Sequence, residues 1–176
     1  LKQKKLNKYS KILDIGCGRG KIVGTLSSKL RLQNKPIGLD ITNHRDKDKR
    51  IKFRKIDALS FFLTNKNKFD LILIKQTIHL LSLNEIKKLL NLSKKNLSAN
   101  GRIFIFTLET DNNQLPTFNH MKTKLIKSLK RDKKILKVIT KAHPCRVKKK
   151  FIYKVEIIKK DYLKMIQNRY ISTLLS

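Results

Sequence analysis

The sequence predicts an α/β fold built on a doubly wound, mostly parallel sheet. Short apolar runs bounded by turn residues recur along the first two thirds of the chain, at residues 11–15, 36–41, 51–56, 69–74 and 102–108. The runs are almost continuously apolar, which is typical of strands buried on both faces of a parallel sheet. Segments with apolar side chains at helical spacing separate most of them, as parallel crossover connections require.

Three helices are predicted between these strands, over residues 20–32, 58–63 and 84–97. The third begins behind a Ser82-x-x-Glu85 capping box, and Asn100-Gly101 is expected to separate it from the fifth strand. Residues 42–50 number only nine and are highly charged, so a loop or a single turn is expected there in place of a helix.

The pattern changes after residue 109. A basic helix is predicted over residues 117–130, followed by strand candidates at 135–140 and 151–158 and a final helix over 161–173. No linker or internal repeat divides the chain, so residues 1–176 are expected to form a single domain. Its core would be residues 1–111, and the basic part, residues 112–176, would cover the substrate.

The net charge is the most unusual feature of the composition. Lysine and arginine total 43 against 12 acidic residues, which gives +31. A field of this size attracts nucleic acid or any other polyanion without regard to its sequence. An AT-biased genome is the alternative explanation, since 34 of the cations are lysine, although that bias does not account for the presence of only three glutamates. Both interpretations stay open.

Several classes of protein are excluded. No apolar run approaches the roughly 18 residues that span a bilayer. Two cysteines, Cys17 and Cys145, cannot form the framework of a disulfide-rich secreted protein, and no signal-peptide pattern is present, so a cytoplasmic location is expected. The histidines and cysteines of the chain are not spaced as the ligands of a zinc site are, so no metal is predicted.

A glycine-rich turn follows the first predicted strand, in the segment Ile12-Leu13-Asp14-Ile15-Gly16-Cys17-Gly18-Arg19-Gly20. Glycines allow a tight reversal and a close approach of ligand to backbone, and the following helix offers free amide donors. The third glycine comes one residue too early for a dinucleotide fingerprint. Gly20-Lys21 is followed by Ile22 and not by Ser or Thr, which excludes a phosphate-binding P-loop.

Acidic residues lie near the carboxyl ends of the first three predicted strands: Asp14, Asp40 and Asp57. Ligands bind at this edge of doubly wound sheets. Carboxylates there would accept hydrogen bonds from hydroxyls and amines and would offset positive charge on a ligand. The alternative is that each aspartate merely caps a turn or a helix.

The glycine-rich segment closely resembles the first motif of class I S-adenosylmethionine-dependent methyltransferases, and the resemblance extends over residues 11–109. It implies a Rossmann-like fold that ends in an antiparallel strand or hairpin. It also implies that Asp40 holds the ribose hydroxyls and Asp57 the adenine amine of S-adenosyl-L-methionine. The full implied cofactor site comprises Asp14, Gly16, Cys17, Gly18, Gly20, Asp40, Ile41, Asp57, Ala58, Lys75 and Gln76.

The segment after the fourth strand, residues 75–81, lacks the Asn/Asp-Pro-Pro-Tyr and Pro-Cys sequences of several nucleic-acid and protein methyltransferases. It carries His79 where small-molecule members resembling trans-aconitate methyltransferase carry a histidine. His79 is therefore the candidate catalytic residue, as a general base or to orient the acceptor. The alternative is a histidine that packs locally. Arg169 and Tyr170 resemble residues of a substrate-covering helix.

The resemblance implies in-line methyl transfer to a small-molecule acceptor. The charge keeps two alternatives open: methylation of RNA or another nucleic acid, and nucleic-acid binding on the same fold without catalysis. Aromatic residues make up 7% of the chain and tryptophan is absent, so no base-stacking platform is evident. Non-specific association with polyanions is compatible with each of these functions.

Overall fold

The structure is a computed structural model that describes residues 6–75, 77–107, 119–142, 147, 149–151 and 156–167. The chain divides into two compact units, Leu1–Leu108 and Glu109–Ser176. The expectation that residues 1–176 act as one methyltransferase domain stays a prediction.

The first unit contains a five-stranded sheet in the order β3-β2-β1-β4-β5. All four pairings are parallel, which confirms the predicted sheet. The strands are β1 Ile12–Ile15, β2 Ile37–Asp40, β3 Lys52–Lys55, β4 Phe69–Lys75 and β5 Leu97–Phe106.

Three helices connect the strands: α1 Lys21–Leu30, α2 Ala58–Thr64 and α3 Leu83–Lys95. The predicted capping box is present at the start of α3, where the Ser82 and Glu85 side chains each accept from the other residue's backbone amide. Residues 41–51, between β2 and β3, form turns and bends without a helix, as their length and charge predicted.

The core lies on both faces of the central strands. Ile12, Leu71 and Leu73 pack with Val23 of α1 and with Ile51 in one buried cluster. Side chains alternate along a strand, so Leu13, Ile72 and Ile74 point to the opposite face, and they are fully buried too. Helix α3 supplies the buried side chains Ile86, Leu89 and Leu90. Burial on both faces explains the continuous apolar runs of β1 and β4. The expectation does not hold for β3, an outer strand of the sheet whose residues are mostly exposed.

The boundary between α3 and β5 differs from the prediction. The helix ends at Lys95, because the Asn96 side chain donates to the Leu92 carbonyl at 2.9 Å and caps the last turn. Strand β5 begins immediately, at Leu97, and passes through the expected turn at Asn100-Gly101 with a register irregularity opposite β4. A β-carbon on Gly101 would lie 2.5 Å from the Phe69 carbonyl oxygen, so this glycine permits close strand contact.

The second unit contains α4 Asn119–Ala142 and α5 Lys159–Gln167. The predicted strand at residues 135–140 is wrong, because these residues continue α4. Ile135 and Ile139 are both buried, at the i and i+4 spacing of one helix face.

The late strand predicted over residues 151–158 is not confirmed: residues 151 and 156–158 are not in a strand, and 152–155 lie outside the described residues. The described part of the chain thus shows no antiparallel strand. The final helix, predicted from residue 161, begins at Lys159 and is confirmed as far as Gln167. None of the described helices is both long enough and apolar enough to cross a membrane.

Candidate functional site

The ligand-binding edge predicted for the sheet is the one at which the carboxyl ends of the strands lie. The switch point of the strand order, between β1 and β4, lies at this edge. The chain leaves β1 toward β2 on one side and leaves β4 toward β5 on the other. Crevices that bind ligands form outside the carboxyl ends of such strand pairs. The glycine-rich turn, residues 16–20, follows β1, and Thr77 follows β4, so both lie at this crevice.

Gly16, Gly18 and Gly20 all have positive φ angles, of 69°, 55° and 72°, but their surroundings differ. The Thr77 side chain occupies the space that a β-carbon on Gly16 would fill, and Ile51 occupies that space at Gly20. A β-carbon on Gly18 would meet no atom of the residues that the structure describes within 4 Å. Of these three glycines, Gly18 alone borders open space, whereas the other two make room for protein side chains.

Asp40 ends β2 and connects it to the glycine-rich turn. One carboxylate oxygen, Oδ2, accepts from the Gly18 amide at 2.8 Å, and Oδ1 accepts from the Thr42 amide at 2.9 Å. The Nε2 atom of His44 lies 3.9 Å from Oδ2. The next residue, Ile41, is 68% exposed. A carboxylate and an apolar side chain therefore lie side by side at the end of β2, next to the open space at Gly18.

Asp14 is buried within β1, with 5% of its surface exposed. Burial raises the pKa of this carboxyl to about 7; the positive charge of Lys75 acts to lower the pKa, and the negative charge of Asp40 adds to the rise. Within the described residues, no hydrogen bond reaches the Asp14 carboxylate. A cationic group of a ligand would offset the cost of its burial.

Cys17 lies beside these acids, and its sulfur lies 2.8 Å from the position of a β-carbon on Gly38. Burial raises the pKa of the thiol to about 12, and the charges of Asp14 and Asp40 contribute to the rise. The thiol is therefore protonated at neutral pH and is a poor nucleophile. The Cys17 amide donates to the Leu39 carbonyl at 2.9 Å, which ties the turn to β2.

Asp57 follows β3 and is the N-cap of α2. Its Oδ1 accepts from the Ser60 amide at 2.9 Å, and the hydrogen bonds from Ser60 lower the pKa of Asp57. The alternative role for an aspartate here, helix capping, is thus present in the structure. Ala58, the first residue of α2, is half-buried. A role for this pair at the adenine stays a prediction.

The β4 side of the crevice begins with the exposed Lys75. Thr77 donates to the Lys75 carbonyl at 2.9 Å and packs on Gly16. His79 is half-buried in a 3₁₀ helix, Ile78–Leu80, whose first residue is buried and whose last is 65% exposed. The two apolar neighbours of His79 therefore shield it only in part.

The predicted residues Gln76, Arg169 and Tyr170 lie outside the described residues. The sequence interpretation missed Thr77 and His44. The position of Thr77 directly after β4 was the available signal, because residues at that end of the switch-point strands border the crevice. His44 follows Asp40 by four residues in a loop, where no sequence periodicity indicates proximity.

The fold and the arrangement of acids and glycines at the switch point define a class I methyltransferase architecture, and the Rossmann-like fold predicted from the resemblance is confirmed. A family model described as "Methyltransferase domain" matches residues 6–169. The chain therefore belongs to this methyltransferase family. The closer resemblance to trans-aconitate methyltransferase stays a prediction.

Two solved structures with this fold are similar to the chain. An O-methyltransferase family protein from Burkholderia thailandensis has a TM-score of 0.59 and 12% identity, over 81% of this chain and 48% of its own. CalO1, a methyltransferase in calicheamicin biosynthesis in its SAH-bound form, has a TM-score of 0.50 and 17% identity, over 80% of this chain and 44% of its own. The chain thus spans less than half of either protein. No curated protein gave a significant match.

Proposed function

We propose that this chain binds S-adenosyl-L-methionine and transfers its methyl group to a small-molecule acceptor. One observation carries the proposal: the Asp40 carboxylate is held at 2.8 Å from the amide of Gly18, the motif glycine that borders open space. The site thus offers fixed acceptor oxygens next to bare backbone. Family membership and the SAH-bound state of CalO1 support the choice of cofactor.

The residues present fit this cofactor. Asp40 would accept hydrogen bonds from the ribose hydroxyls, and the exposed Ile41 would give the adenine an apolar surface. Asp57 would accept a hydrogen bond from the adenine amine, because its carboxylate can accept further hydrogen bonds besides the one from the Ser60 amide. The buried Asp14 would attract the ammonium group. When bound, the cofactor supplies a methyl group activated by a sulfonium.

The contribution of the protein to methyl transfer would be chiefly positional. Holding the acceptor atom, the methyl carbon and the sulfur in line can be worth about 7 to 11 kcal/mol. His79 lies just beyond β4, and we propose that it orients an acceptor or takes its proton. Arg169 and Tyr170 are proposed to contact the acceptor on the strength of the sequence resemblance alone.

Calorimetry with S-adenosylhomocysteine tests the cofactor assignment. Asp40→Ala should weaken binding by about 1.5 to 3 kcal/mol, the contribution of hydrogen bonds to a charged acceptor. Asp70→Ala is the matched control, because Asp70 also accepts two hydrogen bonds, from the Lys11 amide and the Ser98 hydroxyl, but lies at the start of β4, on the opposite edge of the sheet. Equal affinities in the wild type and Asp40→Ala would contradict the assignment.

The second candidate function involves nucleic acid. The chain would either methylate RNA or another nucleic acid, or bind nucleic acid without catalysis. The observation that favours it is the row of exposed cations on α4, which includes Lys127, Lys130, Lys134, Lys137 and Lys141. The small-molecule acceptor is preferred because the sequence has no tryptophan and no run of aromatic residues for base stacking. Methyl incorporation into RNA and into a panel of small molecules, measured side by side, separates the two.

A further inference from the structure

The β2–β3 loop, residues 41–51, takes the place of a crossover helix and is unusually rich in acid for this chain. Of the 12 acidic residues in the protein, Asp46 and Asp48 lie in this loop, and Asp40 directly precedes it. All three contact the glycine-rich turn or α1. A loop with such contacts is more than a spacer between two strands.

The loop holds the glycine-rich turn through Arg19. The Asp48 amide donates to the Arg19 carbonyl at 2.8 Å. The Arg19 side chain forms an ion pair with Asp46, with Nε 3.0 Å from Oδ1. The preceding amide, that of Gly18, is bound by Asp40. Two consecutive residues of the turn, Gly18 and Arg19, are thus held by the end of β2 and by the loop that follows it.

The loop packs against α1 at Gly24 and is hydrogen-bonded to α1 at Ser28. The carboxylate carbon of Asp48 lies 2.5 Å from the position that a β-carbon on Gly24 would take, so the close approach requires glycine. Arg50 binds this carboxylate through two bonds, Nε to Oδ1 at 2.9 Å and Nη2 to Oδ2 at 2.6 Å. Its Nη1 donates to the Ser28 hydroxyl at 3.0 Å. Glycine inside a helix is otherwise unfavourable, and this contact explains its presence.

We propose that Asp48 is a positioning residue for the cofactor site. Its carboxylate holds the β2–β3 loop against α1, and this keeps its backbone amide in place to bind the Arg19 carbonyl. The glycine-rich turn is thereby held in the conformation that presents Gly18 beside Asp40. The Asp48 side chain is 9% exposed and its partner Arg50 is 45% exposed, so the carboxylate is the shielded member of a pair that lies at the surface. The consequence for cofactor affinity rests on the proposed function, whereas the effect on the turn does not.

Hydrogen exchange in the ligand-free protein tests the effect on the turn. In Asp48→Ala, exchange of the amides of residues 16–20 should accelerate by at least about tenfold, because local opening of the turn becomes easier. Asp70→Ala is the control, since it removes a comparable carboxylate at the opposite edge of the sheet. Unchanged exchange at residues 16–20 in folded Asp48→Ala, or an equal change in the control, would overturn the proposal.

Gly24→Ala supplies an independent variant. Alanine favours helix over glycine, so α1 itself should gain stability, but the added methyl group must displace the Asp48 carboxylate. We expect the turn to exchange faster, as in Asp48→Ala. In the double variant, Gly24→Ala should add no further acceleration, because the group it displaces is already gone. Effects on exchange that simply add would contradict the proposed contact.

Calorimetry with S-adenosylhomocysteine then links the turn to the cofactor. Asp48→Ala should lose about tenfold in affinity, and Asp70→Ala should bind within about twofold of the wild type. A loss in Asp48→Ala no greater than that in the control would show that Asp48 has no positioning role at the cofactor. Failure of the wild type to bind would instead contradict the proposed function, and the exchange experiment would still decide whether Asp48 holds the turn.

Discussion

The Thr77 side chain occupies the space beside Gly16 that a β-carbon on that glycine would fill. Gly16 begins the turn after β1, and Thr77 follows β4, so the contact joins the ends of the two central strands. The Thr77 hydroxyl also donates to the Lys75 carbonyl at 2.9 Å, which fixes its orientation. The crevice at the switch point is therefore closed at Gly16 and open at Gly18.

Alanine substitutions at these two glycines should separate packing from ligand binding. Gly16→Ala combines a positive φ with a clash against Thr77, so it should destabilise the fold by more than the roughly 1 to 2 kcal/mol of the left-handed conformation alone. Gly18→Ala should cost no more than that conformational amount, yet it should impair binding of S-adenosylhomocysteine because its methyl group enters the open space. Urea unfolding and calorimetry measure the two effects. Wild-type affinity in Gly18→Ala would contradict this view of the crevice.

Asp14 should make stability depend on pH. The pKa of its carboxyl is about 7 in the folded protein against an ordinary value of 3.8, so the folded state binds more protons than the unfolded state between these pH values. The contribution of Asp14 to the free energy of unfolding should therefore decrease as pH rises from about 4 to 7 and level off above 7. The total decrease is at most about 4 kcal/mol.

Asp14→Asn isolates this contribution. The variant should be more stable than the wild type at pH 8, and the difference should shrink as pH falls toward 4, because the wild-type carboxyl then becomes neutral too. Urea unfolding of both proteins across this range provides the measurement. A difference that does not vary with pH would mean that the carboxyl titrates normally.

His79→Ala should reduce turnover more than cofactor affinity. If the imidazole takes a proton from the acceptor, its loss should lower the rate by about ten- to ten-thousand-fold. His44→Ala is a useful comparison, because His44 lies 3.9 Å from the proposed ribose ligand Asp40 and should act on affinity instead. Single-turnover rates and calorimetry separate the two steps. Unchanged rates in His79→Ala with an active acceptor would remove His79 from the reaction.

The charge of +31 should produce nucleic-acid binding that is indiscriminate and sensitive to salt. If the charge has no specific function, affinity for any RNA should fall steeply between about 50 and 200 mM salt, because counterions released from the phosphates gain less entropy when the bulk salt concentration is higher. Filter binding with several unrelated RNAs measures this, and methyl incorporation follows on the same samples. Methylation of one RNA at physiological salt would favour the alternative acceptor.

The positions of β1 and β4 could be predicted because their continuous apolar runs are buried on both faces. Strand β3 is mostly exposed and β5 only partly buried, so these two were predictable from the turn residues and helical segments that bound them. The helical continuation at residues 135–140 was harder to predict, because five of its six residues are apolar or β-branched and therefore also suit a strand. The i, i+4 pair Ile135 and Ile139 was the signal for a helix, and β propensity obscured it.

The candidate site was only partly predictable. Asp40 and the glycine-rich turn could be assigned to the site because each follows a predicted strand, and the carboxyl ends of parallel strands lie at the same edge of the sheet. The partners of the glycines depend on contacts between distant residues, such as Ile51 with Gly20 and Asp48 with Gly24. A glycine that makes room for another protein side chain cannot be distinguished in the sequence from a glycine that makes room for a ligand.

The central strand β1 has one near and one distant partner in the sequence. It pairs with β2, which begins at Ile37, and with β4, which begins only at Phe69. During synthesis, β1, α1 and β2 can associate while the second edge of β1 still lacks its neighbour. Because loop closure takes longer over the larger interval, we expect the β1–β4 pairing to form after the β1–β2 pairing, and until then to leave the second edge of β1 accessible to chaperones or to other nascent chains.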